Sequence, residues 1–282
     1  NGCMPHAIVV SQFGAPDVLE YVEVPMPVPA ADQVVVKVAA AGVNFIDIYR
    51  REGKYPVELP GVPGAEAAGT VTGIGADVQG VNVGDRVAFP DNMGGYGEYV
   101  LAPASKCLPV PDAMDDLTAA AIPMQAMTAH YLVDGAFHLE AGHTCLIHAG
   151  AGGVGLVLTQ MAKSRGATVI TTVSTPDKAE LSREAGADHV IDYSQLGDMS
   201  ELSDRVRELN GGQGVHVVYD GVGKTTFDAA VGLDVNFTYE QQVWALGKRA
   251  YAGETRCRAH ADLKLEIELT SKLDTKPGSY VP

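Results

Sequence analysis

The sequence predicts an α/β protein with two parts: a partly closed β domain followed by a doubly wound parallel sheet that is covered by helices. Three observations predict this fold. Short β-rich segments broken by Gly and Pro fill the chain up to about residue 122, strands and helices alternate from 143 to about 223, and a glycine-rich loop follows the first strand of that alternation. Short punctuated strands are typical of β barrels, whereas strand–helix alternation is typical of parallel sheets.

The β domain is predicted from four segments that combine a strand pattern with turn residues. They are "QVVVKVAAAGV" (33–43), "GTVTGIGADV" (69–78), "GDRVAFP" (84–90) and "YGEYVLAP" (96–103). The composition changes at 114–133, where helix-forming residues are interrupted by Pro123. We therefore place the end of the first domain at residue 122.

The second domain is predicted from segments that alternate between strand and helix patterns. They are "HTCLIHA" (143–149), "GGVGLVLTQMAKSRG" (152–166), "ATVITTV" (167–173), "PDKAELSREAG" (176–186), "DHVIDY" (188–193), "MSELSDRVRELNGG" (199–212) and "VHVVYDGVG" (215–223). The helix after the glycines places Val154, Val157, Leu158 and Met161 on one face, as expected of a helix that covers a sheet.

The composition excludes several classes of protein. The 282 residues suffice for two domains, and 46% hydrophobic with 20% charged residues is typical of a soluble globular protein. The net charge of −15 argues against nucleic-acid and anionic-membrane partners, which need clustered Lys and Arg. No segment approaches the length of a membrane span, and the four cysteines lack metal-ligand spacing, so we expect a reducing, cytoplasmic location.

The glycine-rich loop predicts a dinucleotide site. Gly150, Gly152 and Gly155 form the pattern G-x-G-x-x-G between a predicted strand and a predicted helix. The first two glycines allow a tight turn and close approach to a pyrophosphate, and the third allows close packing of helix on strand. The amides of the first helical turn, which includes Gly153 and Val154, would then face the phosphates. A glycine-rich turn that binds nothing is the alternative.

The end of the second strand favours NADPH over NADH. An NAD site usually places Asp or Glu there to bind the ribose 2′-hydroxyl, but this chain has Ser174 and Thr175. Lys178 follows one helical turn later as a cation for a 2′-phosphate, and Tyr193 at the end of the third strand would donate its hydroxyl to the same group. Alternatively, Lys178 is a solvated helix residue and Tyr193 a rim aromatic.

Taken together, these motifs resemble those of a known protein family. Together with "AGVNFIDIYRREGKYP" (41–56) and "VPGAEAAGTVTGIGADVQGVNVGDRVAF" (62–89), they resemble the quinone oxidoreductase (zeta-crystallin-like) branch of the medium-chain dehydrogenase/reductase superfamily, from Pro5 to Gly223. The resemblance implies a GroES-like domain over 1–122, a Rossmann domain over 123–253, a return segment over 254–282 and a cofactor cleft between the domains. It also implies a homodimer, provided that the C-terminal part of the sheet is intact.

The resemblance also suggests that no metal is bound. Zinc-dependent members of the superfamily use Cys and His ligands, whereas this chain has Asn44 and Ala65 near the corresponding positions. Zinc needs three or four protein ligands, and none converge here. We therefore expect a zinc-free protein in which Glu66 is a structural carboxylate.

The chemistry expected from the resemblance is reduction of a quinone or similar conjugated carbonyl by NADPH. Such a substrate accepts hydride without a metal, so the cofactor carries the chemistry and the protein supplies position. By resemblance, Asn44 and Tyr49 line the nicotinamide end and Thr128 contacts it from the hinge. Tyr49 either stabilises the developing oxyanion or relays a proton, or it only packs against the ring.

Two other functions stay open. The same scaffold serves NADPH-dependent reductases of alkenal or enoyl-thioester double bonds, which the segment "NFIDIY" disfavours without excluding. A nucleotide-binding protein without catalysis, of the crystallin type, is the alternative from another class. A small-molecule quinone or enone is the expected partner in the first two cases.

The resemblance ends near Gly232. The family continues with further strands and helices, whereas the remaining 50 residues (282 − 232) are several tens too few. Either the sequence lacks residues of a longer chain, or this is a variant whose sheet is incomplete. We favour the first, because loss of half a sheet would expose an edge and apolar surface.

Overall fold

The computed structural model describes residues 4–223, 225–226, 229 and 233, together with the backbone of two short strands, Asn236–Thr238 and Cys257–Arg258. The chain divides into two compact units between Gln125 and Ala126, close to the boundary predicted at residue 122. Apart from Cys257–Arg258, the predicted return segment 254–282 lies outside the described residues.

The first unit is built on antiparallel strands. Strands β1 (His6–Val10) and β2 (Leu19–Glu23) form a two-stranded sheet. A five-stranded sheet follows, in the order β6-β3-β4-β5-β7. Its strands are β3 (Gln33–Gly42), β4 (Glu66–Ile74), β5 (Arg86–Phe89), β6 (Tyr99–Pro103) and β7 (Leu108–Pro109). Val34 and Val36 of β3 are fully buried in the core of this sheet, and Val35 between them is also buried, so this part of the strand is covered on both faces.

Helices close the first unit and begin the second. Helix α1 (Phe45–Arg51) follows β3, and α2 (Asp116–Ala121) packs its alanines against β4 and β5. Helix α3 (Pro123–His130) starts at the proline that the sequence predicted as an interruption, because a proline N–H is not needed in the first turn. A π-helical turn, Tyr131–Ala136, continues from it and was not predicted. Short 3₁₀ turns lie at Pro16–Val18, Ala104–Lys106 and Tyr193–Gln195.

The second unit is a parallel sheet in the order β10-β9-β8-β11-β12, with β13 added antiparallel at the β12 edge. The order reverses between β8 and β11, as in doubly wound folds. Apolar side chains are buried on both faces: Cys145 and Ile147 of β8 belong to one core cluster and Leu146 to the other. The strands are β8 (Thr144–Ile147), β9 (Thr168–Val173), β10 (His189–Asp192), β11 (Val217–Tyr219), β12 (Asn236–Thr238) and β13 (Cys257–Arg258); the helices are α4 (Gly153–Ser164), α5 (Pro176–Glu184) and α6 (Glu201–Leu209).

The predicted fold class is confirmed: an antiparallel β unit precedes a parallel sheet with helices. Among the residues that the structure describes, no helix has both the length and the apolar character that crossing a membrane requires.

Candidate functional site

The glycine-rich loop lies at the carboxyl edge of the parallel sheet, where the strand order reverses. The N–H of His148 donates to the carbonyl of Tyr219 in β11 at 3.0 Å, and the N–H of Gly150 donates to the carbonyl of Thr172 in β9 at 2.9 Å. The loop is therefore tied to both neighbours of β8. Ligands of doubly wound sheets bind at this edge.

Two of the three motif glycines are required by the packing of the protein itself. A Cβ on Gly150 would lie 2.5 Å from Cβ of Thr171, and a Cβ on Gly155 would lie 2.3 Å from the carbonyl oxygen of Ala149. A Cβ on Gly152 would meet only Ala149, with its carbonyl oxygen at 3.1 Å. Gly152 is thus the least tightly packed of the three motif glycines.

The N-terminus of α4 is available to an anion. Gly152 is the N-cap residue, and no side chain of the described residues caps this helix end; the Gly152 N–H donates to the carbonyl of Ala149 at 2.8 Å. The first N–H groups of a helix lack partners within the helix and carry partial positive charge. The amides of the predicted residues Gly153, Val154 and Gly155 therefore form the kind of site that binds phosphate.

His148, which lies between β8 and the glycine-rich loop, is a buried polar residue that supports the loop. His148 is 4% exposed, and its Nδ1 lies 2.9 Å from the hydroxyl of Thr172. Burial lowers the pKa of His148, whereas the charge of Asp220 acts in the opposite direction. Nε2 of His148 has no hydrogen-bond partner among the described residues. The hydroxyls of Thr171 and Ser182, 2.8 Å apart, are buried under Gly150.

The predicted 2′-phosphate residues lie together. Nζ of Lys178 donates to the hydroxyl of Ser174 at 3.2 Å, and Thr175 caps α5 by accepting from the Lys178 N–H. Val173 pairs with Asp192 across β9 and β10, so that Ser174 and Tyr193 leave the sheet side by side. The Tyr193 side chain is exposed.

Asn44 lies in a polar cluster of the first unit, which we call the Asn44 cluster: Asn44, Asp47, Glu66, Tyr96 and Gln125. Nδ2 of Asn44 donates to Oε1 of Glu66 at 2.9 Å, and Nε2 of Gln125 donates to Oδ1 of Asn44 at 2.8 Å. The second Glu66 oxygen, Oε2, accepts from the backbone N–H of Met124 at 2.9 Å. Glu66 is 1% exposed, so its charge is buried but fully hydrogen bonded.

Asp47 fixes the backbone of Asn44. Its Oδ2 accepts from the Asn44 N–H at 3.1 Å, as the third residue of a helix does in a capping box, and from the Tyr96 hydroxyl at 2.9 Å. Oδ1 of Asp47 is buried and has no hydrogen-bond partner in the described part of the chain. Burial, and then the charge of Asp47, raise the pKa of Tyr96, so Tyr96 stays a hydrogen-bond donor.

Tyr49 lies on α1 within an aromatic group. Its ring is stacked on Tyr55, with centroids 5.9 Å apart, and Lys54 Nζ lies 5.3 Å from its centre. Phe45, at 6.4 Å, is 75% exposed. Asn44 and Tyr49 thus belong to the first unit, whereas Thr128, which is half-buried on α3, and the glycine loop belong to the second.

Comparison with known proteins identifies the family. One family model, described as an alcohol dehydrogenase GroES-like domain, matches 30–112, and another, described as a zinc-binding dehydrogenase, matches 153–233. A quinone oxidoreductase from Pseudomonas aeruginosa is 41% identical over 232 residues, which cover 81% of this chain and 70% of that protein. The chain belongs to the quinone oxidoreductase branch of the medium-chain dehydrogenase/reductase superfamily.

Two further proteins that are similar to this chain bear on its function. A 2-haloacrylate reductase from a Burkholderia species is 41% identical over 236 residues, or 81% of this chain and 69% of that protein. A mycobacterial protein solved in complex with NADPH is 48% identical, with a TM-score of 0.78, covering 83% of this chain and 72% of that one. The predictions of family and of an oxidoreductase enzyme are confirmed.

Sequence analysis of this family member missed several residues of the candidate site. Gln125, Tyr96 and the supporting role of His148 carry no local signal, because their partners are distant in sequence. Asp47 had one: Asn44 and Asp47 have the spacing of a helix N-cap and a third-residue acceptor. No cluster of three or more His, Cys, Asp or Glu side chains suited to a metal ion occurs in the described ranges.

The different roles of the loop glycines can be tested by stability. Gly155→Ala should lower the free energy of unfolding by about 2 kcal/mol, because its Cβ would overlap a backbone carbonyl that cannot move alone. Gly152→Ala should cost less, about 1 kcal/mol, because its backbone conformation suits alanine and the Ala149 carbonyl, at 3.1 Å from the new Cβ, needs to shift only slightly. Urea unfolding of both variants checks this; equal losses would contradict it.

The position of Glu66 depends on a glycine across the strand pair. Gly42 pairs with Glu66, and a Cβ on Gly42 would lie 2.2 Å from Oε1 of Glu66. Gly42→Ala should therefore cost about 2 kcal/mol or more, since a buried carboxylate would leave its donors. Gly73→Ala on the same strand pair, where the nearest atom would lie at 3.5 Å, is the matched control. Similar melting temperatures for the two variants would refute this dependence.

Proposed function

We propose that this oxidoreductase transfers hydride from NADPH to a quinone or similar conjugated carbonyl, without zinc. The observation that carries the proposal is the contact between Lys178 and Ser174 at the end of β9, where Ser174 stands in place of the Asp or Glu that an NAD site usually has. The mycobacterial relative complexed with NADPH and the quinone oxidoreductase from Pseudomonas aeruginosa support the same cofactor and substrate class.

The residues of the second unit fit NADPH. We propose that the backbone of Gly150 and Gly152, together with the amides of Gly153, Val154 and Gly155, holds the pyrophosphate. Ser174, Lys178 and Tyr193 would bind the 2′-phosphate through one cation and two hydroxyl groups. The fit rests on two features of the described chain: a helix N-terminus whose N-cap residue has no side chain, and a motif glycine, Gly152, that is packed less tightly than Gly150 and Gly155.

The residues of the first unit, with Thr128 of α3, are proposed to orient the reacting groups. Bound NADPH would supply the hydride. Asn44 uses one N–H and one oxygen lone pair within the Asn44 cluster and keeps one of each for a ligand. Tyr49 would donate its hydroxyl hydrogen to the developing oxyanion or relay a proton. Alternatively, Tyr49 only packs against the nicotinamide ring; its stacking on the Tyr55 ring is compatible with either role.

Zinc independence is proposed from the residue types near the expected ligand positions. Ala65 has no ligand atom, and both ends of the Asn44 amide are engaged by Glu66 and Gln125. Both oxygens of Glu66 already accept hydrogen bonds. A metal here would have to displace this network.

A second candidate function is reduction of an activated carbon–carbon double bond. The 41% identity to a 2-haloacrylate reductase favours it, because that protein's name specifies a conjugated alkene. The third possibility, nucleotide binding without catalysis, would be indicated by NADPH binding without turnover.

Two further predictions are also part of the proposal. A cytoplasmic location is supported by Cys107 and Cys145, both free thiols. The predicted homodimer depends on the C-terminal part of the sheet, which lies largely outside the described residues.

The cofactor preference can be tested at Lys178. Lys178→Ala should weaken NADPH binding by about 10- to 100-fold, because a charge-assisted hydrogen bond is worth about 1.5–3 kcal/mol. NADH lacks the 2′-phosphate, so its Kd should stay within about twofold. Lys37→Ala, which removes an exposed lysine from β3, is the matched control. Equal weakening of both nucleotides would refute the assignment.

The reaction can be tested with the purified full chain. Oxidation of NADPH should be observed at 340 nm with quinones, and a panel of enals and haloacrylates should be reduced more slowly. Zinc measured by plasma mass spectrometry should be far below one ion per chain, and a chelator should leave the rate unchanged. Turnover with alkenes alone would favour the second function, and stoichiometric zinc would refute the metal-free site.

A further inference from the structure

We propose that Glu66 and Gln125 are positioning residues that hold the side-chain amide of Asn44 in one of its two orientations. The inference rests on the proposed role of Asn44 at the nicotinamide end. It gives Glu66 a specific task beyond that of a structural carboxylate.

The backbone of Asn44 is held independently of its amide. Asp47 Oδ2 accepts from the Asn44 N–H, and the Asp47 N–H donates to the Asn44 carbonyl at 3.1 Å. Tyr96 donates to the same Asp47 oxygen and holds the carboxylate in place. The principal freedom left to Asn44 is a half-turn of its amide, which would exchange the nitrogen with the oxygen.

The chemistry of Glu66 decides that half-turn. An ionised carboxylate only accepts hydrogen bonds, and Oε2 of Glu66 already accepts from a backbone N–H, that of Met124. Oε1 therefore requires a donor from Asn44, which must present Nδ2. The Asn44 oxygen then faces Gln125, which presents its own Nε2 at 2.8 Å; the same Nε2 lies 3.5 Å from Oε1 of Glu66.

The orientation matters because Asn44 is only half-buried. One N–H and one oxygen lone pair remain after the two contacts, at fixed places relative to α1. A reversed Asn44 amide would place its oxygen, an acceptor, where its N–H donor had been. A ligand amide that matched the original orientation would then face donor against donor or acceptor against acceptor. An unmatched buried polar pair costs as much as a lost hydrogen bond or more.

The experiment exchanges the two positioning side chains in the full chain. In the double variant Glu66→Gln/Gln125→Glu, the new glutamine can accept from Met124 and donate to the Asn44 oxygen, while the new glutamate accepts from Asn44 Nδ2. Composition and charge are conserved and every group keeps a partner, but the amide is reversed. Gln125→Met is the comparison variant, because Glu66 alone still requires Nδ2 of Asn44.

Nuclear Overhauser contacts of the Asn44 Nδ2 hydrogens report the orientation without any activity. They should be seen to the Glu66 side chain in the unaltered chain and in Gln125→Met, and to residue 125 in the double variant. Contacts that stay with residue 66 in the double variant would overturn the proposal. If the double variant does not fold, Glu66→Gln alone is the test variant. The Met124 N–H still donates to the side-chain oxygen of the new glutamine, so the Nε2 of that glutamine faces Asn44.

Kinetics then separate orientation from structure. The double variant should melt within a few degrees of the unaltered chain, while kcat for quinone reduction falls by about tenfold or more, as for loss of one orienting donor. Gln125→Met should lose less. A reversed amide with unchanged kcat would overturn the proposal. If the unaltered chain reduces no acceptor, the proposed function fails, and the Kd of NADPH decides instead: a several-fold rise on reversal supports the inference, and no change refutes it.

Discussion

The absence of a Cβ at Gly150 and Gly155 is the constraint on which the second unit depends. These two positions let the first turn of α4 lie directly on the loop that leaves β8, because any side chain would overlap Thr171 or the carbonyl of Ala149. The helix N-terminus is thereby brought to the carboxyl edge of the sheet, beside β9 and β11. From that placement follow the uncapped amides and, one strand further, the neighbouring positions of Ser174 and Tyr193. Gly152, by contrast, is packed less tightly, because a Cβ there would meet only Ala149, with its carbonyl oxygen at 3.1 Å.

The first unit uses a glycine in the same way but around a charge. Gly42 makes room for Glu66, whose buried carboxylate accepts hydrogen bonds from Asn44 Nδ2 and the Met124 N–H, with Nε2 of Gln125 at 3.5 Å. Burial of a charge is tolerated when every lone pair is engaged, and it then demands that its neighbours be donors. Glu66 therefore requires a donor from Asn44, and the Asn44 oxygen, which then faces Gln125, requires a donor from Gln125. A chain of obligatory donors and acceptors therefore sets the orientation of an amide on the half-buried side of α1.

Sequence reasoning reached what is encoded locally. The glycine loop and the Ser174–Lys178 pair are each encoded within a few residues, and the structure has Ser174 and Lys178 in contact. Pro123, which was predicted to interrupt a helical segment, is instead the first residue of α3. Sequence reasoning could not reach the Asn44 cluster, because Glu66 and Gln125 lie 22 and 81 residues from Asn44, and only the fold brings them together. Nor could it find the π-helical turn Tyr131–Ala136, since side-chain propensities do not distinguish that turn from an α-helix.

The same network bears on the kind of chemistry open to the site. To bind a cation, the carboxylate of Glu66 would have to give up N–H donors, and the amide of Asn44 would lose the contact with Glu66 that orients it. What they offer is direction: a donor and an acceptor at fixed places. Donors held at fixed places stabilise the negative charge that develops on the oxygen of a conjugated carbonyl when it accepts hydride. The proposed preference for quinones and activated alkenes would then arise from the hydrogen bonds of Glu66 as much as from the shape of any pocket.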